Sequence, residues 1–322
     1  MIYSKITGTG SYLPEQVLTN TELEKIVDTT DEWIRSRTGI EKRHVARNDE
    51  TTCDLAEKAS RAAIEMSGKK ENDIDLIIIA TTTPDVIFPS TACLLQQRLN
   101  IHGCPAFDIQ AVCTGFVYAL HVANLFIKNG TTKCALIVGS ETMTRIVDWE
   151  DRNTCVLFGD GAGAIILEES KTPGILSTHI HADGAYQKLL SVPGGISSNY
   201  NLVKSNKAFI KMQGNEVFKV AVNTLGGIVD ETLQANSMSN TDIDWLVPHQ
   251  ANTRIISAMA KKLDMPISRV VVTVDQHGNT SAASIPLALD VAVKDGRIKE
   301  NDTLLLPAFG GGFTWGSALL KY

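Results

Sequence analysis

One segment of this chain comes back at a fixed distance. The run DIDLIIIAT at 73–81 is matched by DIDWLVPHQ at 242–250, an offset of 169 residues. The same offset carries ALIVGS (135–140) onto LLLPAF (304–309), and Cys113 onto Ala282 within HGNTSAAS (277–284). Chance matches would not share a register, so the chain reads as a duplicated unit whose copies have diverged.

The repeated pattern is α/β. Apolar runs at 76–80 (LIIIA), 135–139 (ALIVG), 162–167 (AGAIIL), 245–248 (WLVP), 270–274 (VVVTV) and 303–307 (TLLLP) have the length and composition of strands buried on both faces. Between them, 52–67, 90–99, 114–128, 216–235 and 252–264 space their apolar residues as helices do. Alternating signals of this kind predict an α/β fold in two halves, 1–170 and 171–322. No Pro- or Ser-rich linker parts them, so the halves are expected to share an interface.

Hydrophobic residues make up 43% of the 322 and charged ones 20%, enough for a large core and far from the composition of a disordered chain. A net charge of −6 supplies no global attraction to nucleic acid or to an anionic membrane. The start, MIYSKITGTGSYLP, lacks a basic segment followed by an apolar one, and LIIIA is far too short to span a bilayer. Six cysteines, at 53, 93, 104, 113, 134 and 155, show neither CxxC nor metal-ligand spacing. Reduced thiols in a cytoplasmic protein without a metal are the expectation.

Sites in α/β sheets form beyond the carboxyl ends of strands. Four elements fall there. In DIQAVCTGFVYAL (108–120), Cys113 lies where a strand-like run yields to a helix-like one. A buried thiol is the ordinary fate of a free cysteine, but a helix starting at 113–114 would aim unpaired N–H groups at the sulfur and lower its pKa. His249 in VPHQAN follows another strand-like run, placed either to cap a helix or to offer one hydrogen bond. Asn279 in HGNTSAAS reads as a turn residue or as a neutral donor, and the small residues after it allow close packing on a second helix start. FGGGFTWGSALL (309–320) is either a loose loop or uncovered backbone N–H suited to an oxyanion. A nucleophile, two neutral donors and bare backbone amides form a set. No P-loop and no GxGxxG opening a helix accompanies it, so no cofactor is expected.

AVCTGF, VPHQANTRI, HGNTSAASIPLAL and FGGGFTWGSALL resemble the β-ketoacyl-acyl carrier protein synthase III family, among the thiolase-like condensing enzymes. The likeness runs from ITGTGSYLPE through DEWIRSRTGI and FGDGAGAIIL to the C-terminus. It implies a thiolase-like fold of two pseudo-duplicated halves in αβαβα layers. It also implies a cytoplasmic homodimer that condenses an acyl-CoA primer, acetyl-CoA foremost, with malonyl-acyl carrier protein to begin fatty acid synthesis. Elongating synthases use two histidines where this chain has His249 and Asn279, and thiolases carry a second cysteine where this chain has FGGGF.

By the same resemblance Cys113 is the nucleophile, His249 and Asn279 hold the enolate, Gly311 completes the oxyanion hole and Phe309 flanks the leaving carboxylate. CoA contacts are implied for Trp33, Arg37, Arg152, Gly214, Phe218 and Asn252. Met143, Phe158 and Leu190 would line the acyl pocket, with Phe88 reaching it across a dimer. Lys219, Arg254, Lys261 and Lys262 would meet the acidic carrier protein; the plain alternative is a solvated helix face. Glu41 follows RTGI where some relatives carry a basic residue, which alters the charge expected at the tunnel mouth. A condensing enzyme of specialised metabolism, a Cys-His thioesterase releasing free acid, and a silent binding scaffold are the other readings. Primer length and branching stay open.

Overall fold

The run Leu76–Ala80 is buried along its whole length in the computed structural model, which describes residues 2–322. Its side chains alternate between two different cores, as the period of a strand requires. Leu76, Ile78 and Ala80 join one cluster; Ile77 and Ile79 join another. Strands β1 (Tyr3–Tyr12), β2 (Leu76–Ala80), β3 (Ala106–Ile109), β4 (Cys134–Thr142) and β5 (Asp160–Ser170) form one sheet in the order β1-β5-β4-β2-β3. β3, β2 and β4 are parallel, β5 is antiparallel to β4, and β1 to β5.

The second sheet holds β6 (Ile175–Ala182), β7 (Trp245–Leu246), β8 (Thr303–Gly310) and β9 (Thr314–Lys321), in the order β6-β9-β8-β7. Val270 forms a single parallel bridge to Leu246 at its far edge. Order and direction repeat those of the first sheet, with β6 standing for β1, β9 for β5, β8 for β4 and β7 for β2. The main helices are α1 (Asp31–Thr38), α2 (Thr52–Ser67), α3 (Thr91–Arg98), α4 (Gly115–Lys128), α5 (Gly214–Ala235), α6 (Thr253–Lys262) and α7 (Ser284–Lys294). α4 and α7 lie between the sheets, where Leu120 and Leu289 pack with Ile78 and Ile137 of one sheet and Leu306 and Ala318 of the other. α2 and α3 cover the outer face of the first sheet, and α5 and α6 that of the second. The layers are thus αβαβα. No helix among the described residues is long and apolar enough to cross a membrane.

The offset of 169 reappears in three dimensions. α4 begins at Gly115 and α7 at Ser284, each after a one-turn 3₁₀ segment, Val112–Thr114 and Ser281–Ala283. Both turns open on a non-glycine residue in the left-handed region, Val112 at φ 48° and Ser281 at φ 50°. The second turn rests directly on β4: a Cβ added to Gly139 would lie 2.3 Å from the Ala282 carbonyl oxygen.

VVVTV at 270–274 is not a strand, contrary to its composition. Val270 makes one bridge, Val271 N–H donates to Leu246 O (2.9 Å), and a short helix starts at Val274. The buried Gln250 side chain takes the place of a neighbouring strand. Its Oε1 accepts from Thr273 N–H (2.8 Å) and Val274 N–H (3.1 Å), and its Nε2 donates to Val271 O (3.0 Å). Strands β1, β6 and β9 escape an apolar-run criterion because they mix small and polar residues with apolar ones; β6, at a sheet edge, is only half-buried along most of its length.

Candidate active site

Beyond β3 the chain reverses through Val112 and delivers Cys113 to the start of α4. A β-branched residue at positive φ costs about 1–3 kcal/mol and needs support from its surroundings. Support comes from the other half: the Thr314 hydroxyl donates to Ala111 O (2.9 Å), and the Thr114 hydroxyl donates to Thr314 O (3.1 Å). The glycine loop between β8 and β9 is thereby clamped on the Cys113 turn.

Only glycine fits the closest point of that clamp. A Cβ on Gly310 would stand 2.8 Å from Cys113 N and 3.2 Å from Ala111 O. Both are backbone atoms that cannot swing away. Gly310→Ala is therefore expected to push the loop off the turn, costing about 1–3 kcal/mol of stability by overpacking and changing the exposure of the Cys113 thiol. Thermal unfolding and the rate of Cys113 alkylation measure the two effects; wild-type values in both would contradict this account.

His249 follows β7, its N–H donating to Pro307 O (2.9 Å) as an extension of the parallel ladder. The buried imidazole is tied through Nδ1 to Ser284 Oγ at 2.6 Å. Burial pushes its pKa down to about 3, so the ring is neutral. Asn279 is anchored by its N–H to Leu157 O (2.8 Å). Its Oδ1 accepts from Ser281 N–H (3.0 Å), which fixes the amide orientation and leaves Nδ2 as the free end.

Cys113, His249 and Asn279 all line one cavity of about 670 Å³. Phe309 and Gly311 line it at the glycine loop, with Phe309 packed on Phe313 at 4.6 Å between centroids. Met143, Phe158 and Leu190 contribute apolar wall. Trp33, Arg37, Gly214, Phe218, Asn252 and Arg254 line the same cavity. Arg152 stands over the Trp33 ring (4.9 Å), and Arg37 is 5.8 Å from the same ring centroid. Asn252 has a second task, capping α6 through its Oδ1 and Ile255 N–H (3.0 Å). Phe88 does not reach this cavity within one chain; it is 83% exposed on the 81–90 loop. No group of three or more His, Cys, Asp or Glu among the described residues is placed to hold a metal ion.

The family model described as 3-oxoacyl-[acyl-carrier-protein (ACP)] synthase III matches residues 107–184, and that for the C-terminal part of this enzyme matches 233–322. The chain is 69% identical to the β-ketoacyl-[acyl-carrier-protein] synthase III of Thioalkalivibrio sulfidiphilus, over 100% of both chains. The chain belongs to the β-ketoacyl-acyl carrier protein synthase III family. The crystal structure of the synthase III from Aquifex aeolicus is similar, with a TM-score of 0.93 at 47% identity over 99% of this chain and 100% of that one. The priming β-ketosynthase of the R1128 polyketide pathway gives 0.94 at 35%, over 99% and 96%. The layered architecture is the thiolase-like one implied by the sequence.

One expectation for this synthase III family member is overturned. The helix start does not lower the Cys113 pKa: burial raises the thiol to about 12. A helix terminus contributes at most about 2 kcal/mol, whereas full burial shifts a pKa by about 3–5 units, so desolvation wins. Enclosure therefore favours the protonated thiol over the thiolate. Glu41 does not line this cavity; it pairs with Arg35, which also pairs with Asp31.

Of the basic residues proposed to face the carrier protein, Lys219 is paired with Glu216 (3.0 Å) and Lys262 with Asp230 (2.7 Å). Arg254 and Lys261 have no carboxylate partner among the described residues and share the exposed face of α6. Sequence reasoning missed Gly310, Ser284 and Gln250. Ser284 stood inside a quoted motif, and Gln250 followed His249 directly; only their partners reveal what they do.

Proposed function

We propose that this chain primes fatty acid synthesis by condensing an acyl-CoA, acetyl-CoA foremost, with malonyl-acyl carrier protein. The observation that carries the reading is the convergence of Cys113 from one half with His249 and Asn279 from the other on a single cavity. The Cys113 sulfur attacks the acyl-CoA thioester carbonyl, the oxyanion rests on the backbone N–H groups of Cys113 and Gly311, and the thiol proton leaves with the CoA sulfur. Malonyl-acyl carrier protein then enters. Its carboxylate, placed beside apolar Phe309, is destabilised relative to neutral CO2 and departs. His249 Nε2–H and Asn279 Nδ2–H hold the enolate oxygen. Ser284 supports this tautomer: it accepts from Gln250 N–H (3.3 Å), so its own hydrogen is free for Nδ1. The enolate carbon attacks the acyl thioester, β-ketoacyl-carrier protein leaves, and the Cys113 thiolate regains a proton from water.

Trp33 with two guanidinium groups close to its ring suits the adenine and phosphates of CoA, and Arg254 with Lys261 suits an acidic carrier. The exposed Phe88 and the free edge of β3 support a homodimer in which Phe88 completes the partner's acyl pocket. The halves 1–170 and 171–322 each supply part of the site, and neither a cofactor nor a metal takes part. A cytoplasmic location accords with this substrate pair. Labelled acetyl-CoA supplied with malonyl-acyl carrier protein is expected to yield labelled 3-oxoacyl-carrier protein and CO2. Free acetate alone would mark a thioesterase instead, and absence of any acyl adduct would mark a non-catalytic scaffold.

A further inference from the structure

A buried cation lies just outside the two main sheets. Arg43 is fully enclosed on a two-stranded hairpin, Gln16–Thr19 against Lys42–Val45. Its guanidinium donates to neutral oxygens: Nη1 to Asn20 Oδ1 (2.9 Å) and Leu18 O (3.2 Å), and Nη2 to Val156 O (2.7 Å). Its Nε has no partner, and no carboxylate among the described residues pairs with it. Burying a charge without an opposite one is costly, and a polar group so placed calls for a reason. The planar fork of Arg supplies one, because it can grip two segments in different directions at once.

One arm leads to the reaction centre. Leu157, the residue after Val156, accepts Asn279 N–H (2.8 Å), and Gly159 N–H donates to Asn279 O (3.1 Å), so Phe158 and Asn279 form a parallel bridge. The Arg43 stem lies against both sides of that bridge. A Cβ added to Gly159 would be 2.9 Å from Arg43 Cβ, and one added to Gly278 would be 3.1 Å from it. Phe158 and Asn279 line the cavity, whereas Arg43 does not. The other arm leads to α1. Asn20 Nδ2 donates to Asp31 Oδ1 (2.8 Å), at the first residue of α1, and to Ile40 O (2.7 Å), just past its end. Arg43 thus fastens the bridge that carries Asn279 to the hairpin and to α1.

We propose that Arg43 is a positioning residue for condensation: by holding Val156 O it fixes the 156–159 segment, and through the bridge it sets where Asn279 Nδ2 points. The Asn279 side chain is short, so its amide moves with its backbone. A misplacement of about 1 Å in such a group costs about 10²-fold. Cys113 is insulated from this, since its turn is held by Thr314 and Thr114 instead. The inference rests on Asn279 holding the enolate.

The test is a double-mutant cycle of Arg43→Met and Asn279→Ala in the full chain, measured for acylation by acetyl-CoA and for condensation with malonyl-acyl carrier protein. Met fills a similar length without a donor. Alone, Arg43→Met is expected to lower condensation about 10²-fold and to leave acylation within about threefold. In the Asn279→Ala background it is expected to lower condensation by less than about threefold, because the group it directs is gone. Equal factors in the two backgrounds, or equal losses of acylation and condensation, overturn the proposal, since a merely structural role predicts these. Should Arg43→Met not fold, Arg43→Lys gives the reading instead: it keeps the charge but cannot span both grips, and the same pattern is expected at about tenfold. Amide hydrogen exchange reads the link without the reaction. Asn279 N–H is expected to exchange about tenfold faster or more in either variant, with Ile78 in β2 unchanged, and an unchanged Asn279 overturns the proposal. Exchange that behaves as expected in a chain whose wild type forms no condensed product would refute the assigned reaction and leave the link from Arg43 to Asn279 standing.

Discussion

Cys113→Ala is expected to abolish the acyl-enzyme, with no acyl mass on the intact protein after exposure to acetyl-CoA and a fall of at least about 10⁴-fold in CoA release. Cys113→Ser is expected to fare little better. A hydroxyl needs a base to attack, and burial that pushes the His249 pKa to about 3 leaves no strong base in the cavity. Sulfur tolerates this site because it is far more nucleophilic even when its proton must leave during attack. The other buried thiols offer no substitute, since none of Cys53, Cys134 and Cys155 lines the cavity that holds His249 and Asn279. An acyl adduct persisting at wild-type level in Cys113→Ala would refute the assignment.

His249→Ala and Asn279→Ala are expected to separate the two half-reactions. Acylation should survive within about tenfold, because its oxyanion rests on backbone N–H. Decarboxylative condensation should fall by about 10²–10⁴-fold, the range for losing one donor to a developing oxyanion. His249→Gln should recover part of this loss, since a neutral donor is what the site supplies; no recovery would assign the imidazole a proton-transfer role instead. Both residues are buried, and Asn279 also anchors the strained Ser281, so thermal unfolding must accompany the kinetics. Equal loss of acylation and condensation would end the division of labour argued above.

Much of this was legible in the chain. LIIIA and ALIVG reveal strands because residues buried on both faces have no polar member to confuse the pattern. α2 spans the very residues, 52–67, that helical spacing marks. VVVTV misleads because propensity describes a residue, whereas pairing needs a neighbour, and Gln250 supplies the partners instead. The motif around Cys113 pointed to a nucleophile, but the upward push on its thiol was not legible, since a local helix start argues one way and enclosure by distant segments the other.

The order of residues alone determined the duplicated register, and with it the two turns at 112–114 and 281–283 that launch α4 and α7, because strand and helix periods are properties of neighbours along the chain. Only the tertiary structure decided which side chains share protons there. Removal of water from the Cys113 and His249 site is a collective result of two sheets closing over the helices between them, and it outweighs any influence carried by adjacent residues.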